Sequence, residues 1–301
     1  MQEETVTNLL EGWLVTYTKP PCKSENTYQC YKFAISVIKK VRPELTNMGL
    51  SDIDENYLQS LLNELAVHYS KSTLRKIRTV FKNAYSVAGR QGKCSTNPAS
   101  SLTIPVEASE KEIRALTREE EVSVITAARK DILGHFTIFM LETGLRSSEF
   151  RNLKWSDYNP EKNEICIRKS KTKTGVRVVP LLAEAKQIIE AQPHYCDYIF
   201  TSTIKKPVTK TVLRKLYVRL RKATGIDIIT NHVYRHSFAT RAVEKEFDYK
   251  ALSKVLGHKN VAFTLHRYTN AETSFLHEQM EKMEPRRNHP KKFRIVYSRI
   301  K

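Results

Sequence analysis

Four times between Thr5 and Ala88, apolar side chains return at three- and four-residue intervals. That spacing lays them along one face of a helix, so the first hundred residues are constrained to an all-helical bundle. The first stripe, Val6, Leu9, Leu10, Trp13, Leu14 and Tyr17, predicts a helix from Thr5 to Tyr17, which Pro20 and Pro21 end. Tyr28, Tyr31, Ile35 and Ile38 predict a second helix from near Asn26, closed by Pro43. A third runs from Asp54 to Tyr69, with Tyr57, Leu58, Leu61, Leu62 and Leu65 inward. Ser70 or Ser72 caps a fourth, whose inward face is Leu74, Ile77, Phe81, Tyr85 and Ala88.

The opposite side of this fourth helix carries Lys71, Arg75, Arg78 and Lys82. Their offsets of four, seven and eleven make one basic ridge without interleaved acids. A charged ridge is ordinarily a solvated face. Here the whole chain has a formal net charge of +19, with 51 Lys and Arg against 32 Asp and Glu. So large an excess points to a polyanionic partner, nucleic acid above all, and the ridge is expected to lie against phosphates.

The five cysteines, Cys22, Cys30, Cys94, Cys166 and Cys196, are odd in number and never spaced as CxxC. This speaks against a disulfide framework or a zinc ribbon and fits a reducing compartment. The sequence shows no secretory signal and no apolar run long enough to cross a bilayer. The expected location is cytoplasmic, where bacterial DNA or RNA is directly reachable, with no membrane partner.

Asn97-Pro98 breaks the helical pattern, and residues 104–116, with Pro105 and no periodicity, read as a linker after a helical domain at 1–103. A second domain, 117–285, opens on a capping box formed by Thr117 and Glu120. Its next helix starts after Asp131, carries Ile132, Leu133, Phe136, Phe139, Met140 and Leu141, and stops at Gly144. Arg146 follows in a tight turn, with Ser147 as the cap of a short helix to Leu153. Strand patterning takes over at 164–181, where EICIRKS and VRVVPL flank a lysine-rich turn bearing Lys171 and Lys173. A helix at Ala183–Ala191, a short strand at Tyr198–Phe200 and a basic helix from Thr209 to Ala223 come next. The basic helix holds Lys210, Arg214, Lys215, Arg219 and Arg221 around an apolar stripe of Val212, Leu216 and Leu220, and is a second candidate for a DNA groove. The fold class expected is mainly α with a small β-sheet.

A helix after Asn231 places His232 and Arg235 one turn apart. Asp248 caps another, ended by Gly257 just before His258, and Tyr268 follows ten residues on. A last helix is expected at Ser274–Met283. The tail, 286–301, contains seven Lys and Arg and no acid, and its FRIVY stretch alternates like a strand that must pair with a sheet edge, its own or a neighbour's.

Arg146, a lysine at 171 or 173, His232, Arg235, His258 and Tyr268 form a set suited to phosphodiester chemistry. Arginines neutralise non-bridging oxygens as charge builds. A lysine can protonate a departing 5′ oxygen, a histidine can take or share a proton, and a tyrosine can attack phosphorus and store the bond energy in a phosphotyrosyl link. No nucleotide-binding GxxxxGK[ST] segment is present, which agrees with chemistry that needs no ATP, and no dense carboxylate cluster, which agrees with chemistry that needs no metal; no cofactor is expected. His232 and His236 lie four apart, but no glutamate follows the first as in HExxH, so a zinc protease is not indicated. His236 and His266 read as structural.

ETGLRSSEFRNLKW (142–155), SKTKTGVRVVPL (170–181), NHVYRHSFAT (231–240), VLGHK (255–259) and HRYTN (266–270) together resemble the tyrosine recombinases, or phage integrase family, of the mobile-element integrase type. The resemblance implies catalytic Arg146, Lys173, His232, Arg235 and His258, with Tyr268 as nucleophile, Glu149 as a supporting acid and Lys171 as the reserve lysine. It implies site-specific strand exchange through a 3′-phosphotyrosyl intermediate and a Holliday junction. Two domains would clamp double-stranded DNA at specific core sites, and four copies would assemble on it as a homo-tetramer, in some cases with accessory bending or excision proteins. Tyr234 and Phe150 depart from the family's usual aliphatic residues, at packing positions. No extra arm-binding domain is expected before residue 1. The tail strand is expected to dock on a neighbouring protomer. Two alternatives share the fold: a type IB topoisomerase acting alone without site preference, and an inactive DNA-binding protein. A metal-dependent nuclease is a third alternative, distinguishable by chelator.

Overall fold

The computed structural model describes residues 4–110, 114–168 and 175–257. The chain divides into two compact units, 1–112 and 113–301.

In the first unit, α1 (Val6–Thr18), α2 (Glu25–Val41), α3 (Glu55–Ala66) and α4 (Lys71–Arg90) follow the four sequence stripes. Side chains of Thr5, Ser24 and Asp54 take a main-chain N–H of the first turns of α1, α2 and α3, satisfying donors that the helix itself cannot. α4 packs against the other three helices. Leu10, Ile38, Leu58, Leu61, Phe81 and Tyr85 are fully enclosed between them. Helices of this length are marginal alone, so this shared core is what holds them. Tyr17, expected inward, is 39% exposed at the end of α1.

Residues 100–110, which overlap the expected linker from 104, pack on the first unit. Leu102 and Ala108 are buried and Ile104 half-buried against the first core. Ser109 carbonyl accepts the N–H of Lys71 at 2.9 Å, and Thr103 is bonded to Gln59. The two-residue spacing of Leu102 and Ile104 suits an extended strap laid on a helical surface, and burial of those side chains is what fastens it.

The second unit contains α5 (Arg118–Arg129), α6 (His135–Thr143), α7 (Ser147–Arg151), α8 (Ala183–Glu190), α9 (Lys210–Thr224), α10 (Asn231–Glu244) and α11 (Tyr249–Leu256). A three-stranded antiparallel sheet, β1 (Tyr158–Asn159), β2 (Glu164–Ile167) and β3 (Arg177–Pro180), has the order β1-β2-β3. Ile165 stands opposite Val179 and Ile167 opposite Arg177. α6 lies at the centre, against α5, α8 and α10, while α11 packs on α10 and β3. The rings of Phe136, Phe139, Phe150 and Phe200 fill the core, Phe150 stacked on Phe200 at 4.3 Å.

Four local expectations change. α6 begins at His135, because the Asp131 carboxylate accepts the Leu133 N–H at 2.9 Å and closes a turn there, leaving Ile132 exposed. Ser147 is the first residue of α7 and Arg146 its N-cap. Tyr198–Phe200 forms no strand: isolated bridges Lys154–Tyr198 and Thr201–Pro207 stand in its place, and proline has no N–H with which to extend a ladder. On α9 the buried stripe is Leu213, Leu216 and Leu220, with Val212 half-buried. The expected helix at 274–283 and the tail strand lie outside the described residues.

Candidate active site

α6 ends on Gly144, whose left-handed backbone (φ 61°) lets its N–H close on Met140 carbonyl and turns the chain sharply. A β-carbon at Gly144 would stand 2.6 Å from the Phe238 ring, so glycine is required twice over. The turn delivers Arg146 to the start of α7. There the Glu149 carboxylate accepts both the main-chain N–H of Arg146, at 2.9 Å, and its Nη1, at 2.8 Å. Arg146 Nη2 donates to Gly257 carbonyl at 3.0 Å. The guanidinium is thus held from behind, while 37% of the side chain stays exposed.

Glu149 has a second cation. Arg177, on β3, reaches it with Nη1 and Nη2, each at 3.0 Å. Arg177 Nε also donates to Val255 carbonyl at 2.5 Å, and Nη1 to Gly175 carbonyl. Burial opposes ionisation of Glu149, but Arg177 and Arg146 outweigh it and hold the carboxyl below the ordinary glutamate range. Arg235, on α10, is buried and donates Nη1 to Gly144 carbonyl at 2.9 Å and Nη2 to Leu256 carbonyl at 2.5 Å.

Three arginines therefore hold the carbonyls of Val255, Leu256 and Gly257, at the end of α11. The last carbonyls of a helix lack helical partners and carry the negative pole of its dipole, so guanidinium donors satisfy both demands. Gly257, with φ 63°, ends the helix, and a β-carbon there would press on Arg177. Three guanidiniums against one carboxylate leave this cluster with a formal excess of two positive charges, the charge balance an anionic substrate requires.

Of the residues picked out in the sequence, Arg146, Glu149 and Arg235 meet in this cluster. His232 sits exposed in the first turn of α10, one turn from buried Arg235, so the two differ in depth. Lys171, Lys173, His258, Tyr268 and the tail 286–301 lie outside the described residues. Arg177 was missed. Its signal was its register: on a strand whose alternate position Val179 is buried, an arginine on that same inward face needs a buried anion.

The candidate DNA cations are divided. Lys71 and Arg75 pair with Glu110, while Arg78 and Lys82 donate to the carbonyls of Leu102 and Ser100. The ridge on α4 is thus strapped by 100–110 rather than open. On α9, Arg219 is bidentate with Asp131, and Arg221 caps Ile229 carbonyl. Lys210, Arg214 and Lys215 are exposed.

A model described as Phage integrase family matches residues 109–274, more than half of the chain. The chain belongs to the phage integrase family. Relatives are named tyrosine recombinases, enzymes that cut and rejoin DNA, and this chain is a tyrosine recombinase with DNA as its partner. Tyrosine recombinase XerA of Pyrococcus furiosus is 29% identical, across 94% of this chain and 96% of its own. Tyrosine recombinase XerC-like of Caldanaerobacter subterraneus subsp. tengcongensis is 25% identical, across 89% of this chain and 80% of its own. In fold the tyrosine recombinase resembles the Tn1549 transposon integrase in complex with a circular intermediate DNA, with TM-score 0.78 and 21% identity over 93% of this chain and 99% of that one. It also resembles a lambda integrase tetramer bound to a Holliday junction, with TM-score 0.73 and 23% identity over 88% and 78%. No helix among the described residues is long and apolar enough to cross a membrane.

Proposed function

We propose that this recombinase breaks DNA by attack of Tyr268 on a phosphate held by Arg146 and Arg235, leaving a 3′-phosphotyrosyl link. Lys173, with Lys171 in reserve, protonates the departing 5′ oxygen. His232 and His258 assist proton movement and phosphate binding. Glu149 and Arg177 support Arg146 from behind.

The observation that carries this reading is the posture of Arg146. It is fixed on one side by Glu149 and Gly257 carbonyl and left partly exposed on the other. A guanidinium oriented before substrate arrives loses little free energy in reorganisation as phosphate charge develops.

Residues 1–103 and 117–285 act as core-binding and catalytic domains. Four copies assemble on two core sites and exchange strands through a Holliday junction, as the Holliday-junction-bound lambda integrase tetramer suggests. The tail 286–301 docks on a neighbouring protomer, accessory bending proteins assist where the element requires them, and the enzyme works at the nucleoid. Loss of the tail is expected to impair tetramer formation and strand exchange together.

The test is a nicked suicide substrate carrying the core site from the flanks of the gene, with chelator and without ATP. Wild type should leave a protein–DNA adduct on a denaturing gel and Tyr268→Phe none. An adduct persisting in Tyr268→Phe would assign the nucleophile elsewhere. Absence of adduct with both proteins on bound DNA would favour an inactive binding protein.

A further inference from the structure

Beneath the first turn of α10 lies a polar junction that none of the roles above uses. Asn231 is 9% exposed, and its Nδ2 donates to Leu145 carbonyl at 3.0 Å and to Met140 Sδ at 3.1 Å. A carboxamide nitrogen has two protons, so both are committed. The Tyr217 hydroxyl donates to the same sulfur at 3.7 Å. Tyr217 is itself half-buried, with its ring edge-on to Tyr234 at 5.8 Å.

The junction's position gives it significance. Leu145 immediately precedes Arg146, and Asn231 immediately precedes His232. One side chain therefore ties the turn that carries the proposed phosphate clamp to the turn that carries the proposed proton-handling histidine. Met140, on α6, anchors the same tie from below. Buried polar groups with every donor committed resist small displacements, because any shift leaves a donor unpaired in a poor solvent.

We propose that Asn231, backed by Tyr217, is a positioning residue that sets the spacing between Arg146 and His232 for DNA cleavage. The proposal rests on the reading in which those two residues act on the scissile phosphate. It assigns Asn231 no contact with the DNA.

Its test is single-turnover cleavage of the nicked suicide substrate by the full chain, beside equilibrium binding to the same DNA. Asn231→Ala should lower the cleavage rate constant by about 10- to 100-fold, the penalty of roughly 1 Å misplacement, with Kd within about two-fold. Tyr217→Phe keeps the ring and loses only the hydroxyl. It should slow cleavage by about 3- to 10-fold, the loss of one buried hydrogen bond, and it carries the test should Asn231→Ala not fold. In a His232→Ala background, Asn231→Ala should cost less than about two-fold, because spacing matters only while both groups are present. Wild-type cleavage rates in both variants would overturn the proposal. So would an equal loss with and without His232, which would mark a purely structural junction. An adduct persisting in Tyr268→Phe would instead strike at the underlying reading, separately from the role of Asn231.

Discussion

Glu149 and Arg177 meet as a two-pronged buried ion pair, with Oε1 to Nη1 and Oε2 to Nη2 each at 3.0 Å and side chains only 3% and 6% exposed. The same carboxylate also accepts two donors from Arg146. Arg177 thus shares the neutralisation of Glu149, and Arg146 keeps a larger part of its field for an incoming phosphate. Removing the carboxylate would leave Arg177 buried without its anion. Glu149→Gln is expected to destabilise the fold by about 3–5 kcal/mol, the usual cost of breaking one side of a buried pair. Urea denaturation measures it. Glu149→Gln combined with Arg177→Met should recover part of the loss, and strict additivity of the two would contradict the coupling.

The pH dependence follows from the same pair. Burial would raise the Glu149 pKa, but the hydrogen bonds and charge of Arg177 and Arg146 leave it lowered in the folded state. A lowered folded pKa gives stability that is fully present above the unfolded value and lost as pH falls through the folded one. Thermal midpoints from neutral pH down into the acid range should therefore fall less steeply in Glu149→Gln than in wild type, once each is referred to its own neutral value. Parallel curves would show that Glu149 is not ionised in the native protein.

Much of this was legible in the sequence. The four stripes of the first unit predicted their helices because burial there is decided by local periodicity, and Thr117 with Glu120 announced α5 in the same local way. Arg146 was legible because Gly144 marks a turn. What escaped needed contacts distant in sequence. Arg177 stood in a strand pattern that gave it no role, because its partner Glu149 lies 28 positions earlier. Residues 104–110 read as part of a linker because a strap packed on existing helices has no periodicity of its own. Asn231 gave no signal, since its partners Met140 and Leu145 lie some 90 residues earlier in the chain, outside α10 (sequence separations 91 and 86).

Gly144 links folding to the site. Its φ of 61° is strained for any residue with a β-carbon, and that carbon would also meet Phe238 at 2.6 Å. Gly144→Ala is expected to destabilise by about 1–3 kcal/mol, the range for a residue forced into left-handed backbone. Arg235 holds the Gly144 carbonyl and Arg146 lies two residues on, so adduct formation should fall by more than the stability loss explains. That is read at a temperature where the variant is fully folded. A stable variant with wild-type cleavage would show that the turn tolerates displacement.

The two basic helices should respond differently to charge removal, because the fold has already committed some of their cations. On α9, Arg214 and Lys215 are exposed, whereas Arg219 is bound to Asp131 at 2.6 and 2.8 Å. Removing a cation that neutralises one DNA phosphate should reduce the slope of log affinity against log salt by about 1. Arg214→Ala and Lys215→Ala are expected to show that reduction with little change in stability. Arg219→Ala should instead lower stability, by leaving Asp131 without its partner, and move the salt slope less. On α4, Glu110 neutralises Lys71 and Arg75 at 3.5 and 3.3 Å. These pairs are exposed and individually weak, so DNA phosphates can displace them. Glu110→Gln should then tighten DNA binding at low salt, and the gain should vanish when Lys71 and Arg75 are both replaced by alanine. Salt titrations of these variants and wild type on one core-site duplex measure all of this. Equal slopes for Arg214→Ala, Lys215→Ala and wild type would move the DNA surface away from α9, and unchanged affinity in Glu110→Gln would make the strapped ridge of α4 a structural fastening alone.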